Sequence, residues 1–400
     1  MKKLFQSPII TSILDTDAYK LHMQQAVFHY YKKVSVVAEL QCRKQEILKK
    51  YIYAIQYQIN LMKDISLTKE EYFYLNNFPY FKKDYLNWLR KFRFDPSQVL
   101  IYSNSNDNLR IRISGYWYKV ILWEVPLLSM VSELIHKDQN SDLKIKEKAI
   151  RQLYLDMENL FYIAKKQSID LKYFRIVDFG TRRRFSKSIH FHIVKELKKS
   201  FPYFFGTSNY YLAKELHISP FGTQSHEWFQ AHQQIASKLS ESQKEALKIW
   251  LNEYPKELGV AITDCITMNA FLKDFDISLA KKYIGLRHDS GDPVKWAEKA
   301  IDHYIHFRIN PTEKTLVFSD NLNFQQSLSL YKRFHKKINL IFGIGTKLTC
   351  NIPGVNPLNI VIKLTECNGK PVAKISDSPE KMICKDPKFF KRLIRIFNLF

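Results

Sequence analysis

Glycine is scarce in this chain of 400 residues. Its eleven glycines fall well below an average usage of about 7%, so each should stand where backbone geometry demands it. Cysteine is also sparse. Cys42, Cys265, Cys350, Cys367 and Cys384 are odd in number and none has C-x-x-C spacing, which excludes a disulfide framework and a zinc cluster and favours a reducing compartment. Long apolar runs are missing too. The most apolar stretch, Tyr118 to Ile135, is broken by Lys119, Glu124, Pro126 and Glu133, which argues against a membrane span. Met1 to Pro8 carries positive charge without the apolar core of a leader, so cytoplasm is the default location.

Acidic residues are outnumbered, 39 against 62 basic ones, for a net charge of +23. The lysines and arginines are scattered and interleaved with glutamate rather than gathered with aromatics. That reads as surface charge first and as a polyanion-binding face second. With 46% hydrophobic and 25% charged residues, the chain has an ordinary globular balance and length for two or more domains.

Eight of the eleven glycines (Gly180, Gly206, Gly222, Gly259, Gly285, Gly291, Gly343 and Gly345) follow or interrupt short apolar runs. The runs are Phe174 to Gly180, Tyr203 to Asn209, Leu258 to Asp264, Tyr283 to Asp289, Thr315 to Asp320 and Ile338 to Gly343. Each has the length and composition of a buried parallel strand. Helical patterns such as Ser186 to Lys199, Ser240 to Trp250 and Pro293 to His306 lie between them. The alternation predicts an α/β sheet, open or closed into a barrel. On either side the signals turn antiparallel: two strands within Val99 to Gly115, and a hairpin from Asn359 to Asp377 turning at Asn368-Gly369. A second, α+β domain built from both chain ends is expected.

The predicted strand ends carry Asp178, Thr207-Ser208-Asn209, Asp264, Arg287-His288-Asp289-Ser290, Asp320-Asn321 and Gly343-Ile344-Gly345-Thr346. Active sites of α/β folds form at such carboxyl ends, although any single Asp there also reads as a helix N-cap. Arg182, Arg183 and Arg184 after Gly180 read as an anion site or as a solvated basic turn. Gly343-Ile344-Gly345-Thr346 resembles a small phosphate cradle. His226, in the polar run Gly222 to Trp228, is by residue type alone most simply an exposed loop histidine. His226 and His232, and His190 and His192, lack the spacing of a helical metal pair, so no metal ligand is predicted. Tyr19, Met23, Ala26 and Tyr30 form a stripe that reads as core.

Taken together, Asp15-Thr16-Asp17-Ala18-Tyr19-Lys20, Asp178 to Arg183, Gly206-Thr207-Ser208-Asn209, Thr223-Gln224-Ser225-His226-Glu227, Arg287 to Asp292 and Phe342 to Thr346 resemble the bacterial nicotinate phosphoribosyltransferase family. The resemblance runs from about residue 8 to residue 384. It implies an irregular α/β barrel, residues 127–350, with an α+β domain from residues 1–126 and 351–400. It further implies transfer of the phosphoribosyl group of 5-phosphoribosyl-1-diphosphate to nicotinate, for NAD biosynthesis. ATP hydrolysis would be coupled through a phosphohistidine at His226, with Mg²⁺ present.

By the same resemblance, Phe179 would stack on the pyridine and Tyr19, from a partner subunit of a homodimer, would cover its other face. Arg182, Arg183, Arg287, Asp289 and Ser290 would hold the ribosyl diphosphate. Gly343, Gly345 and Thr346 would hold its 5-phosphate. Thr207, Ser208 and Asn209 would meet the substrate carboxylate and select nicotinate over the amide, and Glu227 is the carboxylate nearest in sequence to orient His226. Neither nucleic acid nor membrane is an expected partner. The alternatives are a related phosphoribosyltransferase for nicotinamide or quinolinate, and a basic nucleic-acid-binding protein.

Overall fold

A computed structural model describes residues 7–42, 47, 49–140 and 144–399; most of the segment read for a leader, Met1 to Gln6, lies outside them. The chain first lays down β1 (Ser35–Cys42), β2 (Val99–Ser103) and β3 (Leu109–Tyr116). It then alternates with helices through β4 (Ile176–Asp178), β5 (Phe204–Thr207), β6 (Val260–Ile262), β7 (Gly285–His288), β8 (Thr315–Phe318) and β9 (Asn339–Ile344). It returns to the first sheet with β10 (Ile360–Cys367) and β11 (Lys370–Pro371).

The six middle strands pair in the order β5-β4-β9-β8-β7-β6, and every pairing is parallel. No ladder joins β5 to β6. The segment after β5 fills that gap: Ser219 O and Phe221 N bond to Thr207 at 3.1 and 2.8 Å, and Thr223 Oγ1 donates to Val260 O at 2.6 Å. The sheet therefore closes irregularly, as the barrel expectation required.

The strands are short and largely buried. Several of the helices between them start on side-chain caps: Ser186 accepts from Ile189 N, Asn209 from Leu212 N, Thr267 from Ala270 N and Asp292 from Val294 N. Each such cap is worth about 1 kcal/mol. Asp264 and Asp289 are N-caps of none of these helices, and Asp178 accepts Gly180 N at 2.8 Å in the turn after β4.

The second sheet is antiparallel, ordered β11-β10-β1-β3-β2, with β10 of the chain's end lying against β1 of its start. The β10–β11 turn uses Asn368 and Gly369 at φ 50° and 70°, as the dipeptide suggests. Tyr118 to Ile135 falls largely in the buried helix Glu124–Gln139, and no described helix is long and apolar enough to cross a membrane. The helix Ala18–Tyr30 departs from the predicted stripe. It is buried on nearly every side, Lys20, His22, Gln24 and Gln25 included, while Tyr30 is exposed.

Candidate active site

The carboxyl ends of the parallel strands open into a cleft lined by residues from both sheets. The turn after β4 contributes Phe179, Gly180, Arg182 and Arg183, and β5 is followed by Ser208. Gly222, Ser225 and His226 come from the segment entering the helix His226–Ile235. Arg287 and Asp289 come from β7 and its end, Ser319 and Asn321 from beyond β8, and Gly345, Thr346 and Lys347 from beyond β9. Asp17 and Tyr19, Glu124, and Lys363 of β10 close the remaining sides.

His226 is buried rather than exposed, and its Nε2 lies 2.8 Å from Asp264 Oδ1 and 3.7 Å from Asp289 Oδ2. Burial, then the charge of Lys374, push the imidazole down to about 3 against the pull of Asp264. His226 is therefore neutral near pH 7. A carboxylate only accepts, so Nε2 carries the proton and Nδ1 keeps the lone pair. Asp264 is fully engaged: its other oxygen takes Ser290 Oγ at 2.6 Å and Lys374 Nζ at 3.0 Å. Burial would raise the Asp289 carboxyl, but His226 and Arg287 outweigh it and hold it at about 2.

Several sequence expectations change here. The group orienting His226 is Asp264, not Glu227. Glu227 points the other way, to Lys20 and to Trp117 Nε1 at 2.6 Å, because successive helical residues diverge. Ser290 supports Asp264 instead of lining the cleft. Thr207 Oγ1 donates to Asp178 Oδ2 at 2.6 Å, beside His190 Nε2 at 2.7 Å, so it braces the strand end below Phe179.

Asn209 is fully buried, caps its helix, and donates to Asp15 Oδ1 at 2.8 Å; it does not reach the cleft. Ser208 does line the cleft, with its hydroxyl given to Asp17 Oδ1 at 2.6 Å. Gly343 lies beneath Phe179 rather than in the cleft, leaving Gly345 and Thr346 as the exposed part of the cradle.

Tyr19 lines the cleft of its own chain with Phe179, buried and with its hydroxyl unbonded. Burial raises its phenol above the usual range, so it stays neutral. Arg182 lies 3.4 Å from Asp17 and 3.8 Å from Glu124. Arg183 donates to Asn359 Oδ1 at 3.1 Å, and Arg287 to Gln224 O at 3.2 Å.

Two residues were not singled out by sequence. Asp264 was one strand end among six. Lys363 is the lone cation in the apolar run Ile360 to Leu364, a break in alternation that could have marked it. His226, Asp264 and Asp289 also bring three donor atoms within 4.8 Å, although no metal pair was expected. Asp264's oxygens are already taken by close donors, whereas Asp289 meets Ser319 Oγ at 3.3 Å and His226 Nε2 at 3.7 Å, so Asp289 is the carboxylate better placed to share a cation.

Comparison with known proteins gives the same answer across the whole chain. Residues 14–132 match the nicotinate phosphoribosyltransferase N-terminal domain, and residues 174–399 match the nicotinate phosphoribosyltransferase family. A nicotinate phosphoribosyltransferase of Photorhabdus laumondii is 58% identical over 98% of this chain and 97% of its own. A crystal structure of the Vibrio cholerae enzyme of that name superposes with a TM-score of 0.94 at 39% identity, covering 99% and 96% of the two chains. One from Porphyromonas gingivalis gives 0.90 at 32%, covering 98% and 100%. A barrel whose strand ends gather an aromatic pair, arginines and an Asp-held histidine, matched at this identity over nearly every residue, places the chain in the nicotinate phosphoribosyltransferase family.

Proposed function

We propose that the chain transfers the phosphoribosyl group of 5-phosphoribosyl-1-diphosphate to nicotinate, giving nicotinate mononucleotide and diphosphate for NAD biosynthesis. The pyridine nitrogen attacks ribose C1 as the bond from C1 to the diphosphate oxygen breaks. Positive charge builds on the sugar and negative charge on the leaving group. Holding the ring in place converts this into a near-unimolecular step, and fixed cations at the leaving group lower its barrier. Phe179 and Tyr19 supply aromatic faces for the ring. Arg182 and Arg287 serve the diphosphate, and Gly345, Thr346 and Lys347 the 5-phosphate. Relatives named for nicotinate favour this reading over the nicotinamide, quinolinate and nucleic-acid alternatives.

ATP hydrolysis is coupled through His226, and the observation that carries this is its imidazole, held by Asp264 at 2.8 Å inside the same cleft as Phe179 and Tyr19. Mg²⁺ fits at Asp289 together with substrate phosphates, since Mg²⁺ takes one or two carboxylates and phosphate oxygens; it would neutralise phosphate charge. Five cysteines, odd in number and none with C-x-x-C spacing, fit a cytoplasmic, reducing location.

The test is nicotinate-dependent ATP hydrolysis with mononucleotide formation. His226→Asn should lose hydrolysis and labelling from γ-labelled ATP while keeping some ATP-independent transfer. A wild type that forms no mononucleotide overturns the reading. A His226→Asn variant labelled like wild type moves the phosphate carrier elsewhere.

A further inference from the structure

Lys363 stands in β10 between buried Ile362 and Leu364, and its half-buried side chain reaches the cleft that holds His226, Arg182 and Asp289. The cations around it are committed: Arg182 to Asp17 and Glu124, Lys374 to Asp264, Lys381 to Asp320, Lys20 to Glu124 and Glu227. Lys363 has no described carboxylate within 4.0 Å. Glu39, opposite it on β1, is taken by Arg112 and Lys385. Glu124 and Asp289 attract its ammonium from farther off, Lys374 and Arg182 repel it, and burial is the largest effect, so that the group is pushed down to about 8. A cation partly withdrawn from water, beside two others and without a counter-ion, is unfavourable until an anion joins it.

Lys363 and His226 line the same cleft, and no described carboxylate within 4.0 Å neutralises the lysine. We infer that Lys363 is the counter-charge for the phosphoryl group on His226, which sets how well the enzyme captures that group from ATP. The inference rests on the phosphohistidine reading above. In the step, the lone pair of the unprotonated ring nitrogen forms the N–P bond while the bond from the γ-phosphorus to the bridging oxygen breaks. ADP leaves with that electron pair. The ring becomes cationic and stays bonded through Nε2–H to Asp264, and the phosphoryl oxygens bring the negative charge that Lys363 meets. No proton passes through the lysine.

The experiment is labelling of the full chain with γ-labelled ATP, for wild type, Lys363→Met and Lys363→Arg, each checked for folding by thermal melting. A charge-assisted contact is worth enough that Lys363→Met should hold at least about tenfold less label. Lys363→Arg should keep most of it. Folded Lys363→Arg without label overturns the inference. So does equal labelling of wild type and Lys363→Met, and a rise confined to the KM for 5-phosphoribosyl-1-diphosphate would then assign the lysine to diphosphate. Absence of label on the wild type overturns the phosphohistidine reading itself and this inference with it.

Discussion

The ring of Phe179 rests against the backbone of Gly343: a methyl built at position 343 would lie 2.2 Å from the ring's Cδ2 and 2.4 Å from its Cε2. Gly343 sits in β9 opposite Val177 of β4, where the backbone has little room to yield. Gly343→Ala must therefore push the ring toward the cleft. Overpacking of this kind costs about 1–3 kcal/mol. The expected result is a moderate fall in Tm with a KM for nicotinate raised about tenfold or more. Steady-state kinetics at varied nicotinate measure it, and an unchanged KM would remove Phe179 as the pyridine platform.

Asp264→Asn keeps the shape at His226 but removes the charge that fixes the imidazole proton on Nε2 and pairs with Lys374. Orienting contacts of this type contribute on the order of a hundredfold to catalysis. ATP hydrolysis and phosphoenzyme formation should fall by about that factor, while mononucleotide formation without ATP falls much less. Equal losses in both reactions would mean that Asp264 merely stabilises the fold.

The parallel strands and the β10–β11 hairpin were legible because burial on both faces and an Asn-Gly turn leave direct marks in sequence. The helix Ala18–Tyr30 was not, because its polar side chains find partners only after distant segments arrive: Lys20 meets Glu124 and Glu227, and Gln25 meets Glu253. The same reason hid Asp264. Its pairing with His226, 38 residues earlier, exists only once two strand ends are side by side. Thr207 and Asn209 were misplaced because a strand-end polar residue looks the same whether it faces substrate or braces its neighbours.

Ser208→Asp tests whether a carboxylate at this position can switch the pyridine preferred. Ser208 Oγ lies 2.6 Å from Asp17 Oδ1, and burial already raises the Asp17 carboxyl against the pull of Arg182. A second carboxylate there meets a repulsion of about 4 kcal/mol at 4 Å and an effective dielectric of 20. Tm should fall, and nicotinate and nicotinamide should both be used poorly. A stable variant preferring nicotinamide would show that Ser208 meets the ring substituent directly.

Stability should fall on mild acidification. Burial depresses His22 and His226 to about 3 and His232 to about 4, whereas unfolded histidines titrate near 6.5. The unfolded chain therefore binds protons that the folded chain refuses. The contribution is intact above about pH 6.5 and is lost progressively as pH falls toward the folded values. For buried His22 alone the loss approaches about 3 kcal/mol at pH 4. Urea unfolding across this range should show the slope, and His22→Gln should be weaker at neutral pH yet less sensitive to acid.

Three consecutive arginines read in the sequence as one anion site, but the fold divides them. Arg182 and Arg183 line the cleft, while Arg184 is 1% exposed and grips Asp15 with both terminal nitrogens, at 2.6 and 2.9 Å. Asp15 also accepts Asn209 Nδ2 at 2.8 Å, so this pair fastens the segment before Tyr19 to the ends of β4 and β5. Removing one partner strands a buried charge, at a cost of about 3–5 kcal/mol, whereas replacing both by apolar groups is often nearly neutral. Arg184→Leu should therefore be severely destabilised, and Arg184→Lys should rescue it only partly because it lacks the fork that matches a carboxylate. The double replacement Asp15→Leu with Arg184→Leu should recover much of the loss, although Asn209 then lacks its acceptor. Denaturant unfolding of Arg184→Leu, Asp15→Leu and the double variant gives the coupling directly. Simple additivity of the two losses would show that the pair acts independently and that the N-terminal segment is held by other contacts.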